Sequence, residues 1–155
     1  MRKLLWQRSD REDSGDGELS IMKEAVDCDI RVRYAETDQM GFAYYANYLV
    51  WFEVGRAEFC RERDFSYADL EKLGYRLVVT EVQCRYRMAA RYDEVIKVRT
   101  RLKTCNKRII AFAYQVLRDN LEEVIAEGET RHLCVDANAK PRSLPNEFFA
   151  RLKGQ

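Results

Sequence analysis

A chain of 155 residues with 46% hydrophobic side chains is long enough for one domain with a sizeable core. Its 27 basic and 26 acidic residues leave a formal charge of +1, which excludes the bulk positive field that would hold a nucleic-acid backbone or an anionic membrane. No run approaches the roughly 20 apolar residues that span a bilayer, and the N-terminal "MRKLLWQRSDRED" breaks off too early to serve as a secretory leader.

In chain order, residues 1–24 come first. "QRSDREDSGDGELS" is polar, charged and without period, so residues 1–24 read as a mobile extension ahead of a domain at 25–155. Met22 is then a candidate physiological start; intact mass of the native protein tests it, and a mass that includes Met1–Ile21 refutes it. In "DIRVRY" the side chains Ile30, Val32 and Tyr34 alternate with Arg31 and Arg33, the pattern of a half-buried strand. An apolar helix is predicted from Tyr48 to about Arg63, capped by Asn47 and buried on most sides. Gly55, in its middle, costs about 1 kcal/mol of helix propensity against Ala, so a strand or second helix is expected to approach there.

Four more strands follow. Val78, Val82, Cys84, Tyr86 and Met88 oppose Glu81, Gln83, Arg85 and Arg87. Ile96, Val98, Thr100 and Leu102 oppose Lys97, Arg99, Arg101 and Lys103, and Ile110, Phe112, Tyr114 and Val116 oppose small alanines. A last strand, about Glu123–Val135, follows the turn "RDNLEE", and a short helix follows Pro145. Short connections between the strands imply an antiparallel meander. One helix and one long-stranded sheet make an α+β fold in which about five curved strands wrap the helix. The open edges and thin core of such a unit call for a homodimer or homotetramer. The cysteines at 28, 60, 84, 105 and 134, odd in number and widely spaced, read as reduced thiols packed as small apolar groups in a cytoplasmic protein.

Asp38 stands after an apolar strand and just before the aromatic start of the helix, where an acid can form an Asx turn or cap, or act as a base. The stretch "YAETDQMGFAYYANYLVWFE" resembles the signature of the 4-hydroxybenzoyl-CoA thioesterase branch of the hotdog-fold superfamily, which includes the Tol-Pal-associated acyl-CoA thioesterases of bacteria. The matching residues are Tyr34, Glu36, Thr37, Asp38, Gly41, Tyr44, Asn47, Tyr48, Phe52 and Glu53. "YRMAARYDEVIKVRT" follows in register, and the resemblance covers roughly Asp27 to Val135.

The resemblance implies acyl-CoA hydrolysis at a subunit interface, with Asp38 as nucleophile or general base and the Tyr45 N–H as the donor that polarises the thioester carbonyl. It implies substrate contacts from Gly41, Tyr44, Tyr48, Arg87 and Arg91. Gly41 would let the substrate come close to the backbone, and the arginines would meet the phosphates. Coenzyme A is then part of the substrate, with no retained cofactor and no metal. Tyr45 stands where many relatives carry His, and Ala89 stands where the family usually carries Pro, which is expected to loosen the turn facing coenzyme A. The second reading is a non-catalytic hotdog module that binds acyl-CoA or acyl-carrier protein; a dehydratase fits less well, because it wants a His in this loop.

Other polar residues have structural readings. Glu36 reads as a solvated or salt-bridged acid, and Glu53, on an apolar helix, as an acid needing a buried partner. His132, the only histidine, reads as a strand residue. With no CxxC pair, "HLC" makes a poor zinc site.

Overall fold

The computed structural model describes residues 24–118 and 123–155. The expectations for residues 1–23, Met22 among them, and for the turn at 119–122 lie outside the described residues. Strand β1 (Ala25–Arg31) leads through a 3-10 turn (Tyr34–Glu36) to helix α1 (Asn47–Arg61) and a short helix α2 (Tyr67–Lys72). Strands β2 (Arg76–Tyr86), β3 (Val95–Cys105), β4 (Ile109–Arg118) and β5 (Glu123–Val135) follow, then helix α3 (Asn146–Leu152).

The strands form one antiparallel sheet in the order β1-β3-β4-β5-β2. Only β3, β4 and β5 make the expected meander. The long connection carrying α1 over one face of the sheet releases β2 at the edge opposite β1. Bulges in β2, β3 and β5 bend the strands around the helix.

The core lies between α1 and the sheet. Ile96, Val98, Thr100 and Leu102 of β3 and Ile110, Phe112, Tyr114 and Val116 of β4 are buried, as their alternation requires. Trp51, Phe52 and Phe59 come down on them from α1, each contributing on the order of 2–3 kcal/mol by leaving water. Phe52 stacks on Tyr114 at 4.4 Å and 8°. Gly128 of β5 makes room for that ring: a Cβ there would lie 2.5 Å from Phe52. Gly55 is explained by a strand, as expected, since its Cβ would lie 2.5 Å from Thr100 Oγ1 and 2.8 Å from Val98 Cγ1. Phe148 of α3 meets Phe65 edge-on at 5.2 Å and closes one end of the core.

Four local expectations are corrected. Strand β1 ends at Arg31, and Tyr34 sits exposed in the 3-10 turn instead of sharing a strand face with Ile30. In β2 the bulge between Val79 and Glu81 changes the parity, so Val79, not Val78, shares the inner face with Val82, Cys84 and Tyr86. Met88 lies beyond the strand. Helix α1 is buried on one side only, with Leu49, Val50, Glu53 and Val54 exposed, so Glu53 needs no buried partner. Helix α2 was not foreseen, although Ser66 and Asp69 form the reciprocal capping box that "SYAD" spells.

Candidate active site

The segment between β1 and α1 doubles back twice, and each reversal has a named cause. Gly41 adopts φ +78°, which lets its N–H reach the Asp38 carbonyl at 3.0 Å while the Asp38 N–H reaches the Phe42 carbonyl at 2.8 Å. A Cβ at Gly41 would meet nothing within 4 Å, so the backbone angle, not crowding, calls for glycine. Asp38 Oδ1 accepts from the Met40 N–H at 2.9 Å and from the Phe42 N–H at 3.4 Å. Asp38 is therefore an Asx-turn residue, and its Oδ2 has no hydrogen-bond donor among the described residues.

The second reversal starts the helix. The Tyr44 carbonyl accepts from the Asn47 N–H at 2.9 Å. In a trans peptide the N–H points opposite to the carbonyl, so the Tyr45 N–H faces out of the helix start. It meets no acceptor among the described residues, which leaves it among the orphan donors of a helix N-terminus. Tyr86 on β2 donates from its hydroxyl to the Tyr45 carbonyl at 2.9 Å and so fixes the next peptide. Asn47 is not the cap: Ala46 occupies that place in helical geometry, and Asn47 Nδ2 donates to the Glu36 carbonyl at 2.7 Å.

Asp38 and Tyr45 border one open cleft of about 290 Å³. Phe42, Tyr48 and Tyr86 give it aromatic walls, Met40 and Met88 add flexible apolar ones, and Arg87 stands at its edge. Tyr48 is 2% exposed and its hydroxyl accepts from the Ala90 N–H at 3.1 Å. Burial pushes the phenols of Tyr48 and Tyr86 above their ordinary pKa, so both stay neutral and serve as hydrogen-bonding walls.

Of the other expected contacts, Arg87 pairs with Glu127 at 2.7 Å. Arg91 packs over the Phe42 ring at 4.8 Å, backing the cleft without lining it. Gly41 and Tyr44 lie beside the cleft, Tyr44 against Tyr45 with ring centroids 4.7 Å apart. The Ala89–Ala90 turn is not loose. The Ala90 carbonyl accepts from the Ala43 N–H at 2.8 Å, and the Ala89 carbonyl from Arg118 Nη2 at 2.9 Å.

Glu36 is salt-bridged, one of the two expected states, but its burial was missed. It is 4% exposed, and its carboxylate accepts from the Arg33 N–H at 2.8 Å, Arg33 Nη2 at 3.0 Å and Trp51 Nε1 at 3.1 Å. Burial works to raise its pKa, but these donors outweigh it and hold the carboxyl below its ordinary range. His132 is a core strand residue, hydrogen-bonded to Thr130 Oγ1 at 2.8 Å. A larger hollow of about 460 Å³ lies on the sheet face turned away from α1, between Arg85, Arg101, Gln115, Glu127 and Glu129. It is walled by long polar side chains and meets the cleft at the Arg87–Glu127 pair.

A helix clasped by one curved five-stranded antiparallel sheet, with an apolar cleft at the helix start, is the hotdog architecture. The chain belongs to the Thioesterase-like superfamily, whose family model matches residues 32–152. It is 38% identical over 121 residues to YneP of Bacillus subtilis, spanning 77% of this chain and 87% of that one. It is 30% identical over 126 residues to the acyl-CoA thioester hydrolase YbgC of Escherichia coli, spanning 80% and 92%. The crystal structure of the DHNA-CoA thioesterase from Staphylococcus aureus superimposes with a TM-score of 0.74 at 33% identity, covering 77% of this chain and 80% of that one. Among the described residues no helix is long and apolar enough to cross a membrane.

Proposed function

We propose that this chain hydrolyses acyl-CoA thioesters to free acid and coenzyme A. The observation that carries the reading is the meeting, on one apolar cleft, of a carboxylate oxygen without a donor and a helix-start amide without an acceptor. The acyl group lies against Phe42, Tyr48 and Met88, and its carbonyl oxygen takes the Tyr45 N–H. Asp38 either removes a proton from an attacking water or attacks the carbonyl carbon itself. In the first case the tetrahedral oxyanion is held by the Tyr45 N–H, the C–S bond breaks, and the proton on Asp38 passes to the departing thiolate. In the second the Asp38 carboxylate displaces the coenzyme A thiolate, breaking the C–S bond and forming an acyl-Asp38 anhydride; water then hydrolyses the anhydride, which restores the Asp38 carboxylate, releases the acid and supplies the proton that the thiolate takes up. Arg87, half-exposed beside Glu127, lines the cleft and is the cation offered to the coenzyme A phosphates. The ordered motif from Tyr34 to Glu53 supports placing the chain in the 4-hydroxybenzoyl-CoA thioesterase branch.

The working unit is a homodimer. Leu49, Val50 and Val54 on α1 and Val79 and Val82 on the β2 edge are 37–47% exposed, and Tyr86 and Tyr45 carry this apolar surface to the cleft. A second copy laid there would wall the open side of the site. Five unpaired cysteines support a reducing, cytoplasmic setting.

The test is thiol release from acetyl-, butyryl-, octanoyl- and benzoyl-CoA by the wild-type chain and by Asp38→Asn. Turnover that drops on substitution supports the reading. Saturable binding without turnover by the wild type would replace it with the acyl-CoA or acyl-carrier-protein binding module.

A further inference from the structure

The two groups assigned to the reaction belong to different elements. Asp38 hangs on a loop, and the Tyr45 N–H opens a helix. Their spacing decides whether a carbonyl can meet both, and a misplacement of about 1 Å can cost on the order of 10²-fold in rate. Glu36, two residues before Asp38, is bonded to both sides of that gap. Its carboxylate grips Arg33 at the start of the loop and Trp51 in the second turn of α1. Its backbone carbonyl accepts from the Tyr44 N–H at 2.8 Å and from Asn47 Nδ2 at 2.7 Å, at the first turn of the same helix.

An apolar side chain would fill the space beside Trp51 without the cost of desolvating a carboxylate, which is several kcal/mol when its partners are imperfect. What an apolar side chain could not supply is direction. The carboxylate and carbonyl together fix the loop against the helix at several points, all within a few residues of Asp38 and Tyr45. Among the described residues nothing comparable ties Asp38 itself to α1, since its bonds there run to Met40, Gly41 and Phe42.

We propose that Glu36 and Asn47 are positioning residues that set the distance between the Asp38 carboxylate and the Tyr45 N–H. The proposal rests on the catalytic reading of Asp38, through which both act. Glu36→Gln keeps the volume but turns an NH2 group toward the Arg33 or Trp51 donors. Asn47→Ala removes a single hydrogen bond from a half-buried site and leaves the core untouched.

The experiment measures kcat and KM for butyryl-CoA and benzoyl-CoA on folded protein, its melting curve checked, in the wild-type and Asp38→Asn backgrounds. In the wild-type background each substitution is expected to lower kcat about 10- to 100-fold with KM moving less than about threefold. In the Asp38→Asn background the same substitutions are expected to change the residual rate by no more than about twofold, because no carboxylate is left to place. Equal losses in both backgrounds would mean a merely structural role and overturn the proposal. So would an inactive Asp38→Asn beside wild-type kcat in both Glu36→Gln and Asn47→Ala, which would leave the reading of Asp38 intact. Full turnover by Asp38→Asn would overturn both. Should Glu36→Gln fail to fold, Asn47→Ala decides alone.

Discussion

Asp38 holds a turn with one oxygen and borders the cleft, so its turn role and its proposed catalytic role separate by substitution. Asparagine keeps an Oδ1 for the Met40 and Phe42 amides, and Asp38→Asn is expected to melt within a degree or two of wild type. Asp38→Ala loses those bonds and about 0.5–1.5 kcal/mol of stability; both variants lose catalysis, and thermal melts beside rate assays tell the roles apart. His132 makes the second residue-scale prediction. Burial, aided by the positive charge of Arg56, pushes its pKa down to about 4 from an ordinary 6.5. Between those values the unfolded chain binds a proton that the folded chain refuses. Stability therefore falls as pH falls from about 6.5 to 4, by about 3 kcal/mol in all. Urea midpoints across that range, at fixed protein concentration, should slope steeply for wild type and less for His132→Gln; parallel slopes would contradict the assignment. That Asp38 and Tyr45 come to one cleft was legible because the motif orders them. The burial of Glu36 was not, because it comes from Trp51 in the next element, and sequence alone placed the buried acid at Glu53.

Strands β3 and β4 could be read from period alone because their larger inward side chains, Ile96 to Leu102 and Ile110 to Val116, fall on every second residue and both strands lie inside the sheet. Strand β2 misled at one point, since a bulge inserts a residue that composition does not mark. The close approach at Gly55 was legible as a glycine that a helix has no other reason to keep. Gly55→Ala should gain about 1 kcal/mol of helix propensity yet lose on the order of 1–3 kcal/mol to crowding against Thr100 and Val98. Gly128→Ala should be worse, because its Cβ would lie 2.4 Å from the Gln83 carbonyl oxygen, and that backbone cannot retreat without opening the β2–β5 ladder. Denaturant titration of the two variants checks the order, and a more stable Gly128→Ala would contradict it. The capping box at Ser66 and Asp69 was present in the sequence, yet α2 was not foreseen, because the helix it starts is only six residues long and carries little apolar period.

At the scale of the molecule the strand order was the least legible feature, because local pattern does not say which edge a strand takes after a long connection. That order leaves Val79 and Val82 exposed on an edge strand, and together with the exposed Val50 and Val54 of α1 they motivate the homodimer proposal. Val50→Glu with Val79→Lys should yield a monomer by sedimentation equilibrium with at least a tenfold loss of thioesterase rate; a wild-type mass would contradict the interface. Catalysis itself is tested most directly by single-turnover hydrolysis of butyryl-CoA with protein in excess, which isolates the chemical step from binding and release. Wild type should cleave the thioester at a rate that falls about 10²- to 10⁴-fold in Asp38→Asn, at a dissociation constant within a few-fold of wild type. A cleavage rate unchanged by the substitution would remove Asp38 from the chemistry and the proposed mechanism with it.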